Sequence, residues 1–216
     1  MRVSSNERPA PSPQQLRDAE LLRQWRSGDN RAGAALYDQH SPTVYRLFQT
    51  KVPQEAEELT QQTFLAVVES KDRIREGSSL RAYILGIARF KLIDHLHARA
   101  RNRGVAFDSQ RQSLVEVEPG PSSVLARKRE HQLLLEGLRR IPVEHQLALE
   151  LFYWEGLKAK DIADVFGVSA SAMRSRLGKA RQLLEAAITK LPASAAERDS
   201  TLSGLETWAA RVREIL

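Results

Sequence analysis

Apolar side chains along this chain recur at three- and four-residue spacing and nowhere sustain the alternation of a half-buried strand, so the chain must bury its surface between helices. Leu21, Leu22 and Trp25 open the pattern, and Ala35, Leu36, Val44, Leu47 and Phe48 continue it. Leu59, Phe64, Val67 and Val68 supply a further buried stripe. Pro53 is placed to open that helix, with Glu55, Glu57 and Glu58 complementing the positive end of its dipole. The stretch Lys71–Ser79 reads as a charged loop ended by a serine cap. It leads into a long helix over about residues 79–101, lined by Leu80, Tyr83, Ile84, Ile87, Ala88, Leu92 and Leu96. The expected fold class is all-α.

Pro, Gly and Ser collect at the breaks and divide the chain. Residues 1–17 hold Pro9, Pro11 and Pro13 among polar residues and are expected to be disordered. Residues 18–103 form a first helical domain. Residues 104–123 have no helical period, end in Pro-Gly-Pro-Ser-Ser and carry a net charge of −2, which reads as a flexible acidic linker. Residues 124–191 form a second helical domain, interrupted at Pro142, Gly156 and Gly167 and stopped by Pro192. Residues 192–216 form a C-terminal helical extension, amphipathic over Ser200–Leu216. It is expected to pack on the second domain, the sharper alternative being a regulatory helix.

The absence of cysteine removes disulfide frameworks, thiol nucleophiles and cysteine-type zinc sites. No apolar run reaches the roughly 18 residues of a membrane span, and the first 15 residues have no apolar signal core, so a cytoplasmic protein without membrane contact is expected.

The net charge of +6 identifies a partner only through its placement. Residues 158–188 show the most specific local pattern. Ile162, Ala163 and Phe166 give the inner face of a short helix, Gly167 a positive-φ turn, and Ser169 an N-cap for the helix that follows, which together make a helix-turn-helix. Met173, Leu177, Ala180 and Leu184 face the core, while residues 170–190 carry a net +4. Ala170, Ser171, Arg174 and Ser175 occupy the part of such a helix that meets base edges in the major groove, and Arg176 flanks the cationic face. Lys179 and Arg181 are better placed for phosphates. A second concentration, net +5, lies between Arg81 and Arg103, where Tyr83 and Phe90 accompany the cations. Cations beside aromatic rings suit unpaired nucleic acid, although Tyr83 also fits a core position.

The arrangement resembles the extracytoplasmic-function class of bacterial sigma-70 factors. The segment EAEELTQQTF (Glu55–Phe64) resembles that family's DAEDLVQETF helix, SLRAYILGIARFKLIDHL (Ser79–Leu96) its FRAWLxxIARNxxIDxLR helix, and GVSASAMRSRLGKAR (Gly167–Arg181) its GxSxGTVKSRLxRAR helix. The resemblance implies a region 2-like bundle and a region 4-like helix-turn-helix domain. Glu55, Glu58, Leu59, Gln61, Gln62 and Phe64 would form or support docking on the β′ clamp helices of core RNA polymerase. Ser78 and its loop would capture a flipped base, and Arg81, Tyr83, Arg89, Lys91 and Arg99 would line the melted minus-ten strand. Ala170, Ser171, Arg174, Ser175, Arg176, Lys179 and Arg181 would meet the minus-thirty-five element. The β flap, promoter DNA and an anti-sigma factor complete the partners the resemblance implies, with no cofactor. The chain departs from the family pattern at Thr60, Gln62, Leu80, Tyr83, Phe90, His97, Ala172 and Lys179.

An enzyme is not expected. His95 and His97 lie two apart on a helix and point to different sides, and no glycine-rich phosphate loop or serine elbow is present. A LuxR-type regulator that binds duplex DNA shares the C-terminal motif. Its N-terminal half should show alternating strands and helices or a sensor pocket, whereas residues 18–103 read as wholly helical.

Overall fold

The structure, a computed structural model, describes residues 11–75, 77–117 and 129–203. Four helices make the first bundle: α1 (Pro13–Arg26), α2 (Asn30–Gln49), α3 (Ala56–Ser70) and α4 (Leu80–Asn102). The expected disorder up to residue 17 does not hold for its last residues, because Pro13 to Arg17 are already helical. Ser12 and Gln15 explain the early start. Ser12 Oγ accepts from the Gln15 N–H at 3.2 Å and Gln15 Oε1 from the Ser12 N–H at 2.8 Å, a reciprocal cap, while Pro13 in the first turn has no N–H to leave unpaired. Residues 1–10 lie outside the described residues.

Pro53 does not open α3. Residues 53–55 form a turn, closed by the Glu55 N–H on the Val52 carbonyl at 3.1 Å, and the helix begins at Ala56 with Glu57 and Glu58 in its first turn. The buried stripe of α3 runs through Leu59, Phe64 and Val67, but Val68 is 49% exposed. Val68 lies about 100° around the helix from Val67, and on α3 that turn carries it out of the buried stripe. Ser79 caps α4 as expected, its hydroxyl accepting from the Ala82 N–H at 3.2 Å.

The second bundle comprises α6 (Arg129–Arg139), α7 (Val143–Tyr153), α8 (Ala159–Phe166) and α9 (Ala170–Thr189), with α9 against the other three. Gly137 lets α6 approach α9 closely, since a Cβ there would stand 2.7 Å from Ile188 Cγ1. The extension begins helical structure at α10 (Ala195–Ser203), which lies on α6 and α9 with Thr201 buried. Residues 204–216 lie outside the described residues.

The first half of the linker is anchored rather than free. Phe107 and Leu114 are buried, a single turn α5 (Leu114–Val117) interrupts it, and Ser113 forms an isolated bridge with Pro142. The Val143 and Glu144 N–H groups donate to the Gln112 and Ser109 carbonyls, both at 3.1 Å. Those bonds occupy N–H groups that the start of α7 would otherwise leave unpaired. Residues 118–128 lie outside the described residues. The two bundles also meet directly: α4 packs on α8 at Gly86, where an added Cβ would come within 3.6 Å of the Val165 carbonyl oxygen.

Candidate nucleic-acid interface

The helix-turn-helix geometry follows from two residues. Gly167 ends α8 at φ 64°, a conformation that costs L-residues with a side chain, and Ser169 Oγ accepts from the Ala172 N–H at 3.1 Å to start α9. Met173, Leu177, Ala180 and Leu184 are all buried, which turns the opposite face outward. Ser171, Arg174, Ser175 and Lys179 are exposed along that face, while Ala170 is half-buried against the core. Arg176 and Arg181 are held. Arg176 Nη1 lies 3.6 Å from the Glu144 carboxylate and its guanidinium 5.3 Å from the Phe166 ring; Arg181 Nε donates to the Tyr153 hydroxyl at 2.8 Å and packs over Phe152 and Tyr153. The aromatic shelf restrains Arg181 while leaving it exposed.

On α4 the expected strand-lining residues divide into two groups. Lys91 and Tyr83 border a groove of about 490 Å³ with Ser70, Gly86, Ile87, Phe90 and Asp164. Phe90 is 65% exposed there. Tyr83 is half-buried against the core, as its helical position also allowed. Arg81, Arg89 and Arg99 instead meet carboxylates. Arg99 Nη1 donates to Glu55 at 3.0 Å, which joins a residue expected in polymerase docking to one expected on DNA. Ser78 is exposed, and its hydroxyl donates to the Arg75 carbonyl at 2.6 Å. The loop before it is pinned by a residue absent from the sequence-based site. The Arg26 guanidinium on α1 donates to the Lys71 carbonyl at 2.9 and 2.7 Å and also to the Ile74 carbonyl, while Lys71 Nζ sits 5.1 Å from the Trp25 ring centre.

Along α3, Glu58, Gln61 and Leu65 are exposed, and Gln62 donates to Glu58 at 3.0 Å. Leu59 and Phe64 are buried, with Phe64 edge-on to Tyr37, so they support this face from beneath rather than form it. Leu65 and Val68 add exposed apolar surface to the same helix.

The sequence reading missed a set of glutamates that joins the two bundles. Arg89 makes a two-pronged contact with Glu144, at 3.0 and 2.5 Å, and Ser109 adds a hydroxyl bond to the same carboxylate at 3.3 Å. Glu155 receives Arg81 at 2.7 Å, Arg46 at 3.1 Å and the Thr43 hydroxyl at 3.0 Å. The Lys51 ammonium pairs with Glu150, and neither side chain is more than 5% exposed. Burial holds Lys51 below the usual lysine range and Glu150 above the usual carboxylate range, each effect opposed by the attraction of the other charge. His145, within the field of Arg176 and Lys179 on α9, is held below the ordinary histidine value by burial and by those cations, with Glu144 opposing. One available sign was the setting of Glu144 and Glu150 in a mostly apolar helix, VEHQLALELFY, where buried acids need partners.

Among the described residues no group of three His, Asp or Glu side chains is placed to hold a metal ion, and no helix is long and apolar enough to cross a membrane.

Residues 36–102 match the family described as Sigma-70 region 2, and residues 131–184 match Sigma-70, region 4; together these cover more than half of the chain. The chain is 29% identical over 171 residues to the ECF RNA polymerase sigma factor BldN of Streptomyces coelicolor, covering 78% of this chain and 64% of that protein. It is 29% identical to the ECF RNA polymerase sigma factor SigE of Mycolicibacterium smegmatis, covering 72% of this chain and 61% of that one. These two relatives therefore extend beyond the part matched, which is less than two thirds of either. Among solved structures, CnrH in complex with the cytosolic domain of CnrY superposes with a TM-score of 0.59 at 21% identity, covering 80% of this chain and 97% of that chain. RpoE in complex with the anti-sigma factor NepR from Bartonella quintana gives 0.56 at 19%, covering 74% and 98%. At that identity the likeness concerns the fold.

Proposed function

Because the chain belongs to the extracytoplasmic-function branch of the sigma-70 family, we propose that it acts as a dissociable subunit of bacterial RNA polymerase that recognises promoters and opens them. The observation that carries this reading is the order of surfaces along one chain. An exposed mixed polar and apolar face on α3 precedes a cationic helix edged by a groove, and a capped recognition helix follows with Ser171, Arg174 and Ser175 outward. Exposed Glu58, Gln61, Leu65 and Val68 suit docking on a helical partner such as the β′ clamp helices. The groove beside Tyr83, Phe90 and Lys91 suits an unpaired strand, where phosphates meet charge and bases meet rings. Ser78 and its pinned loop suit the capture of an extruded base, whose lost stacking of a few kcal/mol the loop must offset. Arg174 and its neighbours suit base edges in the major groove, Lys179 and Arg181 the phosphates beside them.

The chain then supplies no catalytic step; it places the DNA for the polymerase. CnrH and RpoE were each solved in complex with a protein partner, in the RpoE complex an anti-sigma factor, and an anti-sigma partner fits the same reading here. A LuxR-type regulator is disfavoured by a first bundle that matches region 2 and is helical throughout its described length. The deciding experiment adds the purified chain to core polymerase with a pool of genomic promoter fragments. Specific run-off transcripts that require the chain are expected; none from any fragment would overturn the reading.

A further inference from the structure

The loop that precedes α4 is shaped by a helix outside the region 2 match, which begins at residue 36. Arg26, the last residue of α1, reaches 45 positions along the chain to Lys71 and takes two carbonyl groups of the loop with one guanidinium. Nε and Nη2 donate to the Lys71 carbonyl at 2.9 and 2.7 Å, and Nη2 donates also to the Ile74 carbonyl. Between those carbonyls the chain makes one 3₁₀ turn, Lys71–Arg73, closed by the Ile74 N–H on the Lys71 carbonyl at 3.4 Å. A planar guanidinium presents its donors in fixed directions, so these bonds set the curvature of the loop as well as its attachment. We propose that Arg26 is a positioning residue for base capture: acting from α1 through the backbone of residues 71–74, it holds the loop that leads to Ser78 in the shape that discriminates among extruded bases, without itself touching DNA.

The inference rests on the base-capture role proposed above and adds the residue that sets its selectivity. Two further features support it. First, α1 is built as a fixed arm. Its Asp18, 2% exposed, accepts from Gln14 at 3.2 Å and from Gln39 of α2, and lies 3.2 Å from His40 Nε2. Gly33 of α2 leaves room for Trp25, since a Cβ there would stand 2.6 Å from the indole Nε1. Second, the arm grips the loop twice at one residue, because the Trp25 ring carries the Lys71 ammonium while Arg26 holds the Lys71 carbonyl. Beyond that grip Ile74 is buried, and the Ser78 N–H and hydroxyl both donate to the Arg75 carbonyl, at 3.2 and 2.6 Å. Arg73, Arg75 and Ser78 are left exposed on a restrained backbone. A pocket held in one shape rejects a wrong base by leaving polar groups unpaired, whereas a loop free to adjust pairs them again and loses that penalty. Loss of Arg26 should therefore cost selectivity at the captured base more than affinity for the promoter as a whole.

The test uses holoenzyme on a promoter recovered in the run-off experiment, with its non-template strand substituted one base at a time across the minus-ten element. Fluorescence of 2-aminopurine placed at each position marks where a base leaves the stack. The unsubstituted chain should show one such position, with a strong base preference. Arg26→Ala should reduce that preference by about fivefold or more, while preferences at the other minus-ten positions and affinity for minus-thirty-five duplex stay within about twofold and the salt slope is unchanged. Arg26→Lys, which returns a cationic donor to the same carbonyls, should recover part of the preference. Arg26→Gln, which keeps an amide donor, takes the place of the alanine variant if that one loses its helical circular dichroism. Unchanged preference at the extruded position, a uniform loss across the element, or a salt slope lowered by about one unit, the mark of a direct phosphate contact, would overturn the assignment. Transcripts that require the unsubstituted chain but show no extruded base also remove it and leave the promoter-recognising role standing. No transcript from any fragment removes that role, and the assignment with it.

Discussion

Replacing Lys51 with methionine removes an ammonium that donates to the Leu47 carbonyl at 3.1 Å, the Thr50 hydroxyl at 2.9 Å and the Glu150 carboxylate. Glu150 is then left buried without its ammonium, with the Gln146 amide donating to it at 2.8 Å and with Glu155 nearby raising its energy further. Breaking a buried pair from one side costs about 3–5 kcal/mol, because the remaining charge is uncompensated. With a urea m-value of about 2 kcal/mol/M, the unfolding midpoint should fall by roughly 1.5–2.5 M. Replacing both charges removes most of that loss. Met at both positions should be within about 1–3 kcal/mol of the original, the residue being the orphaned Gln146 amide. Gln146 Oε1 already lacks a partner, so Gln146→Leu in the same chain should bring stability back to the starting value or above. Urea titration of the full chain, followed by far-ultraviolet circular dichroism, measures the series. A Lys51→Met loss under about 0.5 kcal/mol, or a triple variant as unstable as the single one, would refute the reasoning.

Arg174→Ala should weaken binding to the preferred minus-thirty-five sequence by about 1–3 kcal/mol and relax specificity, whereas Lys179→Ala should lower affinity for all sequences and reduce the salt slope by about one unit; holoenzyme binding to matched and scrambled promoters separates them. Arg26→Ala leaves the Lys71 and Ile74 carbonyls without their guanidinium, so amide exchange over residues 71–75 should accelerate while the helices of the second domain stay protected. His145 is depressed in the folded chain, so its contribution to stability is present above about pH 6.5 and is lost as pH falls through its lower folded value. Thermal unfolding between pH 7.5 and 5 should therefore show a decline that His145→Gln reduces; an unchanged decline would remove His145 from the account.

Local chemistry was readable where one short segment contains its own explanation. Gly167 and Ser169 specify the turn and the cap without help from distant residues, and the inward phase of Met173, Leu177, Ala180 and Leu184 follows from spacing. The same local logic operates at Ser12-Pro-Gln-Gln15, where a reciprocal cap starts a helix at the end of a proline-rich stretch. At Val67 and Val68 composition suggested a shared inner face, but the buried stripe of α3 includes Val67 and leaves Val68 outside it. The junction between domains lay out of reach for a different reason. Lys51 and Glu150 are 99 positions apart, and nothing in either segment names the other. Only the fold shows that Glu144 meets Arg89, a cation assigned to DNA, and that Glu150 meets Lys51, a cation assigned no role.

The stitching of the linker to the start of α7 gives the protein two gauge lengths. With Ser109, Gln112 and Ser113 in place, five residues, 104–108, separate the end of the first bundle from the anchor, a fully extended reach of about 18 Å at 3.3–3.6 Å per residue. Unstitched, the 25 residues 104–128 could extend to about 85 Å. Elements centred 25 base pairs apart on B-form DNA lie roughly 85 Å from one another at 3.4 Å per step. In the promoter complex proposed above, a few backbone hydrogen bonds at residues 109–113 would then set how long a stretch of duplex the two domains can straddle.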